Sequence, residues 1–356
     1  MDSKTLNQIL EIAFAKRVSD VHFEVDNPPF FRAHGQLLRS KLASLKPADT
    51  EFIAATIMKN NKRDLPADFN EFDASYSLAN SGRFRVSIFK QRGNIGIVMR
   101  VIPPEIGDFN KLKLPAVLSE IVKAPNGLVL VTGPTGNGKS TTLASMINYI
   151  NDKYAYNIIT IEDPIEFLFA SIKSCIIQRE VGIDTTDFGS ALKASLRMDP
   201  DVIMVGELRD LETIDACIKA AETGHLVFST LHTQNATSTI NRIIGHFPPD
   251  SQKIVRQRLA DILVATVSLR LVEDNSGENL IPVVEVMRTT TTIQACIRDG
   301  NLNDIESHIE KGTAQYQMQS MDQHLIQLCN KGLISVREAK RVSNSMDLER
   351  KLTFTQ

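Results

Sequence analysis

The stretch Gly133-Pro134-Thr135-Gly136-Asn137-Gly138-Lys139-Ser140 limits what this chain can fold into more than any other segment. It fits the pattern G-x-x-x-x-G-K-[ST], a loop between a strand and a helix whose backbone N–H groups cradle phosphate oxygens. The flanks agree: the apolar run Leu128-Val129-Leu130-Val131 leads in, and a helix-compatible run from Thr141 to Ile150 leads out. Glycines let the backbone approach a ligand closely. Lys139 is placed to reach the β- and γ-phosphates, Ser140 to bind Mg²⁺, and the helix N-terminus adds positive potential. A loop of this spelling with no nucleotide is the alternative, and the strand before and helix after speak against it. Residues Gly133, Pro134, Thr135, Gly136, Asn137, Gly138, Lys139, Ser140 and Thr141 are therefore the candidate nucleoside-triphosphate site.

With 356 residues the chain has room for two cores. Leu6, Ile9, Leu10, Ala13 and Phe14 recur at helical spacing, and Val21, Phe23 and Val25 alternate as in a strand. His34-Gly35 reads as a turn, residues 48–60 as a helix, and residues 83–89 and 95–102 as strands joined around Arg92-Gly93-Asn94. Pro103-Pro104 and the polar run to Lys113 read as a linker. Beyond it the pattern changes to short apolar strands at 128–131, 158–161, 202–205 and 226–228. Helical stretches alternate with them: a stripe of Phe188, Ala191, Leu192, Ser195 and Leu196, and a helix bracketed by Asp210 and Gly224. The expected architecture is α/β: an α+β domain over 1–103, a linker over 104–113, and a parallel-sheet nucleotide-binding domain with a helical C-terminal region over 114–356.

Formal net charge is −2, from 40 basic and 42 acidic residues, which offers a polyanion no global attraction and disfavours a nucleic-acid motor. Cys175, Cys217, Cys296 and Cys329 are far apart, with no C-x-x-C pair, and read as reduced thiols of a cytoplasmic protein. No apolar run approaches the ~20 residues that span a bilayer, so membrane association would go through a partner.

Four further places carry chemistry. Glu162, followed by Asp163-Pro164, is either a solvated acidic turn or a group that orients water for attack on a γ-phosphate. Glu207 follows an apolar strand through Gly206, where an Asp that holds Mg²⁺ through water would be expected. His225 and His232 flank a strand and read either as structural histidines or as sensors of the γ-phosphate. In the first domain Arg83 and Arg85 lie opposite Phe84, Val86 and Ile88, and Arg100 lies opposite Met99 and Val101. They line a solvated sheet face or act as arginine fingers.

Taken together, Gly133–Ser140 with Thr141-Thr142, the run 159–167, the runs 196–201 and 207–210, and 221–225 with 230–233 resemble one family. They look like the Walker A motif, Asp box, Walker B motif and His box of type II secretion/type IV pilus ATPases, and within these the pilus-retraction ATPases of the PilT/PilU type. The resemblance implies a PAS-like N-terminal domain, a RecA-like ATPase domain and a hexameric ring binding ATP and Mg²⁺. It implies Glu162, Glu207, His225 and His232 as catalytic groups, with Arg85 and Arg100 approaching the γ-phosphate. It also implies an inner-membrane platform protein as partner, a homo-hexamer alone or combined with a paralogous ATPase, and a cytoplasmic site at the inner membrane. Retraction ATPases of the PilT type carry a segment like A-I-R-N-L-I-R-E. The matching residues 292–299 keep Arg298 but have Gln294 at the earlier Arg, which leans towards a PilU-like or divergent member. Assembly and secretion ATPases usually add a longer N-terminal region and a four-cysteine loop, neither of which is seen here. Pilus retraction is the expected output; assembly or secretion with the same chemistry is the alternative.

Overall fold

The computed structural model describes all residues except 17, 34, 62, 67, 79–81, 103–104, 344–347 and 349–356. His34 of the expected turn and both prolines of the expected linker lie outside the described residues. The chain divides into two compact units: Met1–Glu105 with Pro164–Leu168, and Ile106–Asp163 with Phe169–Gln356.

The first unit runs α1 (Ser3–Ala15), β1 (Asp20–Phe23), β2 (Phe30–Ala33), β3 (Gln36–Arg39), α2 (Pro47–Asn60), β4 (Glu71–Leu78), β5 (Gly82–Gln91) and β6 (Asn94–Ile102). Asp2 caps α1 by accepting from Thr5 N, and Leu6, Ile9, Leu10 and Ala13 form its buried stripe. The six strands form one antiparallel sheet in the order β3-β2-β1-β6-β5-β4. Between β5 and β6, Arg92 and Gly93 both take positive φ, the geometry of a two-residue hairpin turn whose twist matches the strands. Phe84, Val86, Ile88, Ile97 and Met99 are fully buried on one face, so Arg85 and Arg100 stand exposed on the other, as alternation dictates. Strand β4 was not anticipated; its sequence, Glu-Phe-Asp-Ala-Ser-Tyr-Ser-Leu, is too polar to stand out as a strand.

The second unit contains α3 (Leu118–Ile121), β7 (Gly127–Thr132), α4 (Lys139–Lys153), β8 (Asn157–Glu162), β9 (Cys175–Glu180), α5 (Phe188–Ser195), β10 (Val202–Val205), α6 (Leu211–Glu222), β11 (Leu226–Leu231), α7 (Ala236–Gly245), α8 (Pro249–Ile262), β12 (Leu263–Glu273) and β13 (Leu280–Arg288). Short helices occupy much of 291–342. Phe109, within the expected linker, packs here by stacking on Tyr149. The seven-stranded sheet has the order β13-β12-β7-β11-β10-β8-β9 and is parallel except at β13. Alternate residues of its strands feed two cores: Leu128, Leu130, Ile203, Val205 and Val227 on one face, and Val129, Val131, Val202, Met204 and Phe228 on the other. The fold class is therefore as expected, an antiparallel-sheet α+β unit followed by a mainly parallel α/β unit. The strands β9, β12 and β13 are additions to the expected set. Among the described residues no helix is long and apolar enough to cross a membrane.

One buried carboxyl group in this unit has a consequence for stability. Glu285 on β13 is only 5% exposed; its Oε1 accepts from Ala236 N (2.7 Å) and Ser268 Oγ (3.0 Å). Burial pushes its carboxyl up to about 7 from an ordinary 4.5, even with those hydrogen bonds opposing the rise. The native state then holds a proton that the unfolded chain releases, so stability from this group is greatest below the ordinary value. It is lost as pH rises from about 4.5 to 7, up to about 3 kcal/mol. Glu285→Gln keeps an acceptor for both donors and does not titrate. Thermal melts should show the Gln variant gaining on wild type between pH 5 and pH 8; parallel pH profiles would contradict this.

Candidate active site

Parallel register brings the carboxyl ends of β7, β8, β10 and β11 to one edge, the edge at which open α/β sheets bind ligands. The phosphate loop leaves β7 there. Gly133 has φ +143°, and a Cβ on it would sit 2.4 Å from the Leu269 carbonyl oxygen, so only glycine fits. Gly138, at φ +83°, directly precedes α4, and no side chain caps that helix. Its first N–H groups therefore face the loop's concavity without a side-chain acceptor, which is the fit a triphosphate requires.

Lys139 is buried to 8% exposure and donates from Nζ to the Pro134 carbonyl across the loop (3.1 Å). Asn137 links the loop to the neighbouring sheet. Its amide nitrogen donates to Thr135 O (3.2 Å), and its Oδ1 accepts from Leu271 N (2.8 Å), tying the loop to β12. Ser140 and Thr141 open α4; Ser140 presents a hydroxyl at the loop's exit.

Glu162 is not a solvated turn residue. It is the last residue of β8, 6% exposed, and its Oε1 accepts from Thr160 Oγ1 (2.7 Å) and Gln178 Nε2 (3.2 Å). Thr160 shares its strand face two residues back, and Gln178 comes from β9. One end of the carboxylate is thus fixed by two neutral donors.

Glu207 follows β10 after Gly206, whose N–H is held by the Ile161 carbonyl (2.8 Å). One Glu207 oxygen pairs with Arg209 Nε, and the other lies 3.4 Å from His232 Nε2. Arg209 reaches on to Asp163 (3.1 Å), so it bridges the acids that follow β8 and β10. Burial would raise the Glu207 carboxyl, but Arg209 and His232 together hold it below the usual range. It is therefore ionised at neutral pH. A Ser hydroxyl and an ionised carboxylate are hard oxygen donors of the kind Mg²⁺ takes.

His232 sits between the two halves of the site: Nδ1 is 3.4 Å from Lys139 Nζ and from Thr135 Oγ1, and Nε2 faces Glu207. An ammonium can only donate, so Nδ1 is the acceptor and the Nε2 proton points at Glu207. His225 is not part of this group. It precedes β11 at the opposite end of the strand, roughly 20 Å away at about 3.3 Å per residue. There its Nδ1 donates to the Ala220 carbonyl (2.9 Å), holding the last turn of α6.

Arg85 and Arg100 lie in the first unit. They are directly opposite one another on β5 and β6, and Arg100 Nε donates to Asp20 Oδ1 (2.9 Å). Arg298 on the C-terminal helical segment pairs with Asp261. Thr160, Gln178 and Arg209 were not picked out as site residues in sequence, and Asp163 was read only as part of the acidic turn after Glu162. Thr160 was accessible from its period-two relation to Glu162, whereas Gln178 lay on a strand with no clear pattern.

The fold and this cluster define a P-loop nucleotide-hydrolysing core preceded by an antiparallel-sheet unit. The family model for Type II/IV secretion system proteins matches residues 2–341. The chain belongs to this family. It is 40% identical over 335 residues to the Pseudomonas aeruginosa "Type IV pilus retractation ATPase PilT", covering 94% of this chain and 97% of that one. It is 38% identical over 332 residues to "Type IV pilus ATPase PilU" of the same organism, covering 93% and 87%. A crystal structure of "the Pilus Retraction Motor PilT and Bound ADP" superposes with a TM-score of 0.89 at 43% identity, covering 97% of this chain and 98% of that one. These matches place the chain among retraction-type ATPases; identities of 40% and 38% do not separate the two named types.

The loop tie yields a test. Asn137→Ala leaves Leu271 N without its acceptor, which should lower stability by about 1–2 kcal/mol and weaken nucleotide binding several-fold. Melting curves with and without ADP measure both; unchanged ADP affinity would show that the tie does not shape the loop.

Proposed function

We propose that this protein is a ring-forming ATPase motor that drives type IV pilus retraction. The observation that carries the reading is His232 set between Lys139 and Glu207, beside a buried Glu162, in a chain matched along nearly its whole length by retraction ATPases. ATP is the substrate. The loop Gly133–Thr141 would hold its phosphates, with Lys139 on the β- and γ-oxygens. Ser140 would bind Mg²⁺ directly and Glu207 through water; the ion, when bound, neutralises charge that develops on the phosphates.

Glu162 is the group we assign to the attacking water. Thr160 and Gln178 donate to one of its oxygens and would orient the carboxylate to accept a proton or align the nucleophile. His232 would report the presence of the γ-phosphate to Glu207. His225, at the far end of its strand, would support the α6–β11 corner and not the chemistry. Arg85 and Arg100 would complete the site from a neighbouring subunit of a homo-hexamer, alone or combined with a paralogous ring. Residues 1–103 and 114–356 would then act as two domains that move as rigid bodies about 104–113, with the hinge ahead of Phe109. That motion would turn an inner-membrane platform protein from the cytoplasmic side.

Lys139→Ala should abolish nucleotide binding and turnover. Glu162→Gln should retain binding while turnover falls by roughly 100-fold or more. Arg85→Ala should lower turnover with nucleotide affinity retained. ATPase assays beside equilibrium binding decide these, and undiminished hydrolysis by the Lys139 variant would overturn the assignment. Direction is tested in cells: a strain lacking the protein should be hyperpiliated and unable to twitch, whereas bald cells would indicate assembly.

A further inference from the structure

The register of the first unit's sheet places Arg32, Asp20, Arg100, Arg85 and Ser75 in one line across β2, β1, β6, β5 and β4. Residues directly opposite in a sheet present their side chains to the same face, so three guanidinium groups and one carboxylate share this line. Arg85 and Arg100 are immediate neighbours in it, an unfavourable pairing for like charges. Asp20 is only 5% exposed, whereas the Arg100 side chain is 69% exposed. Asp20 Oδ1 accepts from Arg100 Nε at 2.9 Å, and its other oxygen lies 3.8 Å from Arg32 Nε.

We infer that Asp20 is a positioning residue for the reaction: it holds Arg100 by Nε and so presents the guanidinium's two-nitrogen edge outward beside Arg85, as a preformed receptor for phosphate. This inference rests on the role given to Arg85 and Arg100 above. The geometry supports it in three ways. The anchor is buried and the anchored group is exposed, so the fixed end is inside and the working end outside. The contact uses Nε, leaving both Nη atoms of Arg100 without a partner among the described residues. Arg85 likewise has none, so a bidentate surface remains for a planar or tetrahedral anion. Burial opposes ionisation of Asp20, but Arg100 and Ser19 more than offset it and keep the carboxyl below its ordinary range, so the clamp stays charged at neutral pH. Without the clamp, a flexible arginine beside Arg85 would spread over several rotamers, away from its neighbour.

The test uses the full-length protein, with kcat, KM for ATP and melting temperature measured for Asp20→Asn, Asp20→Glu, Arg100→Ala and the double variant Asp20→Asn/Arg100→Ala. Asp20→Glu keeps the charge but moves the carboxylate by one methylene, so it probes position even if the Asn variant folds poorly. The expected result is a loss of about tenfold in kcat for both Asp20 variants with KM within about twofold. Asp20→Asn should add no further loss in the Arg100→Ala background, because the clamp then has nothing to hold. Wild-type kcat in a folded Asp20 variant, with Arg100→Ala impaired, would overturn the inference and leave the arginine-finger reading standing. An additive loss in the double variant would also overturn it, by giving Asp20 a role apart from Arg100. Wild-type kcat in Arg100→Ala would instead remove the finger reading of Arg100, and this inference with it.

Discussion

The candidate site depends on register. Leu231 pairs with Thr132, Ser229 with Val205, and Val205 with Ile161, so four strands from separate parts of the chain end level with one another. Each of the groups Lys139, Glu162, Glu207 and His232 lies within seven residues of such an end. A slip of one residue in any strand would turn its side chains to the other face and remove its contribution. What holds the register is the double-sided burial of short runs such as Val202–Val205, whose alternate residues are claimed by different cores. The apolar sheet interior therefore does the aligning, and the polar residues at its edge need only be short extensions of well-fixed backbone.

Polar groups at that edge form a chain: the Lys139 ammonium, the His232 imidazole, the Glu207 carboxylate, the Arg209 guanidinium and the Asp163 carboxylate. Each member is a hydrogen-bond or ion-pair partner of the next, and Arg209 is the counter-charge of both acids. A triphosphate with its metal would enter next to Lys139 and Glu207, the two members best placed to exchange partners. Glu162 is buried at the same edge, where Thr160 and Gln178 donate to one of its oxygens.

The phosphate loop, the Arg-bearing strands and the acids after β8 and β10 were legible in sequence because each rests on local rules: glycine spacing, period-two alternation and strand ends. The environment of Glu162 was not, since it depends on Gln178 from an edge strand whose mixed burial leaves no periodic trace. The strands β12 and β13 were also missed, although β12 seats Gly133 and Asn137 through Leu269 and Leu271. The histidines show the converse. His225 and His232 differ by seven positions on one extended strand, so the same counting that paired Thr160 with Glu162 separates these two to opposite ends of the sheet.

That separation makes strand β11 a ruler with a distinct reporter at each end. His232 borders the phosphate loop, while His225 is bonded to the last turn of α6 and sees only the packing of helix on sheet. The two imidazoles carry different hydrogen-bonding partners and so report on different parts of this unit. A perturbation confined to the nucleotide end would move one of them, and a change in how α6 seats on the sheet would move the other. The two native imidazoles thus separate occupancy of the site from deformation of its scaffold, without any introduced label.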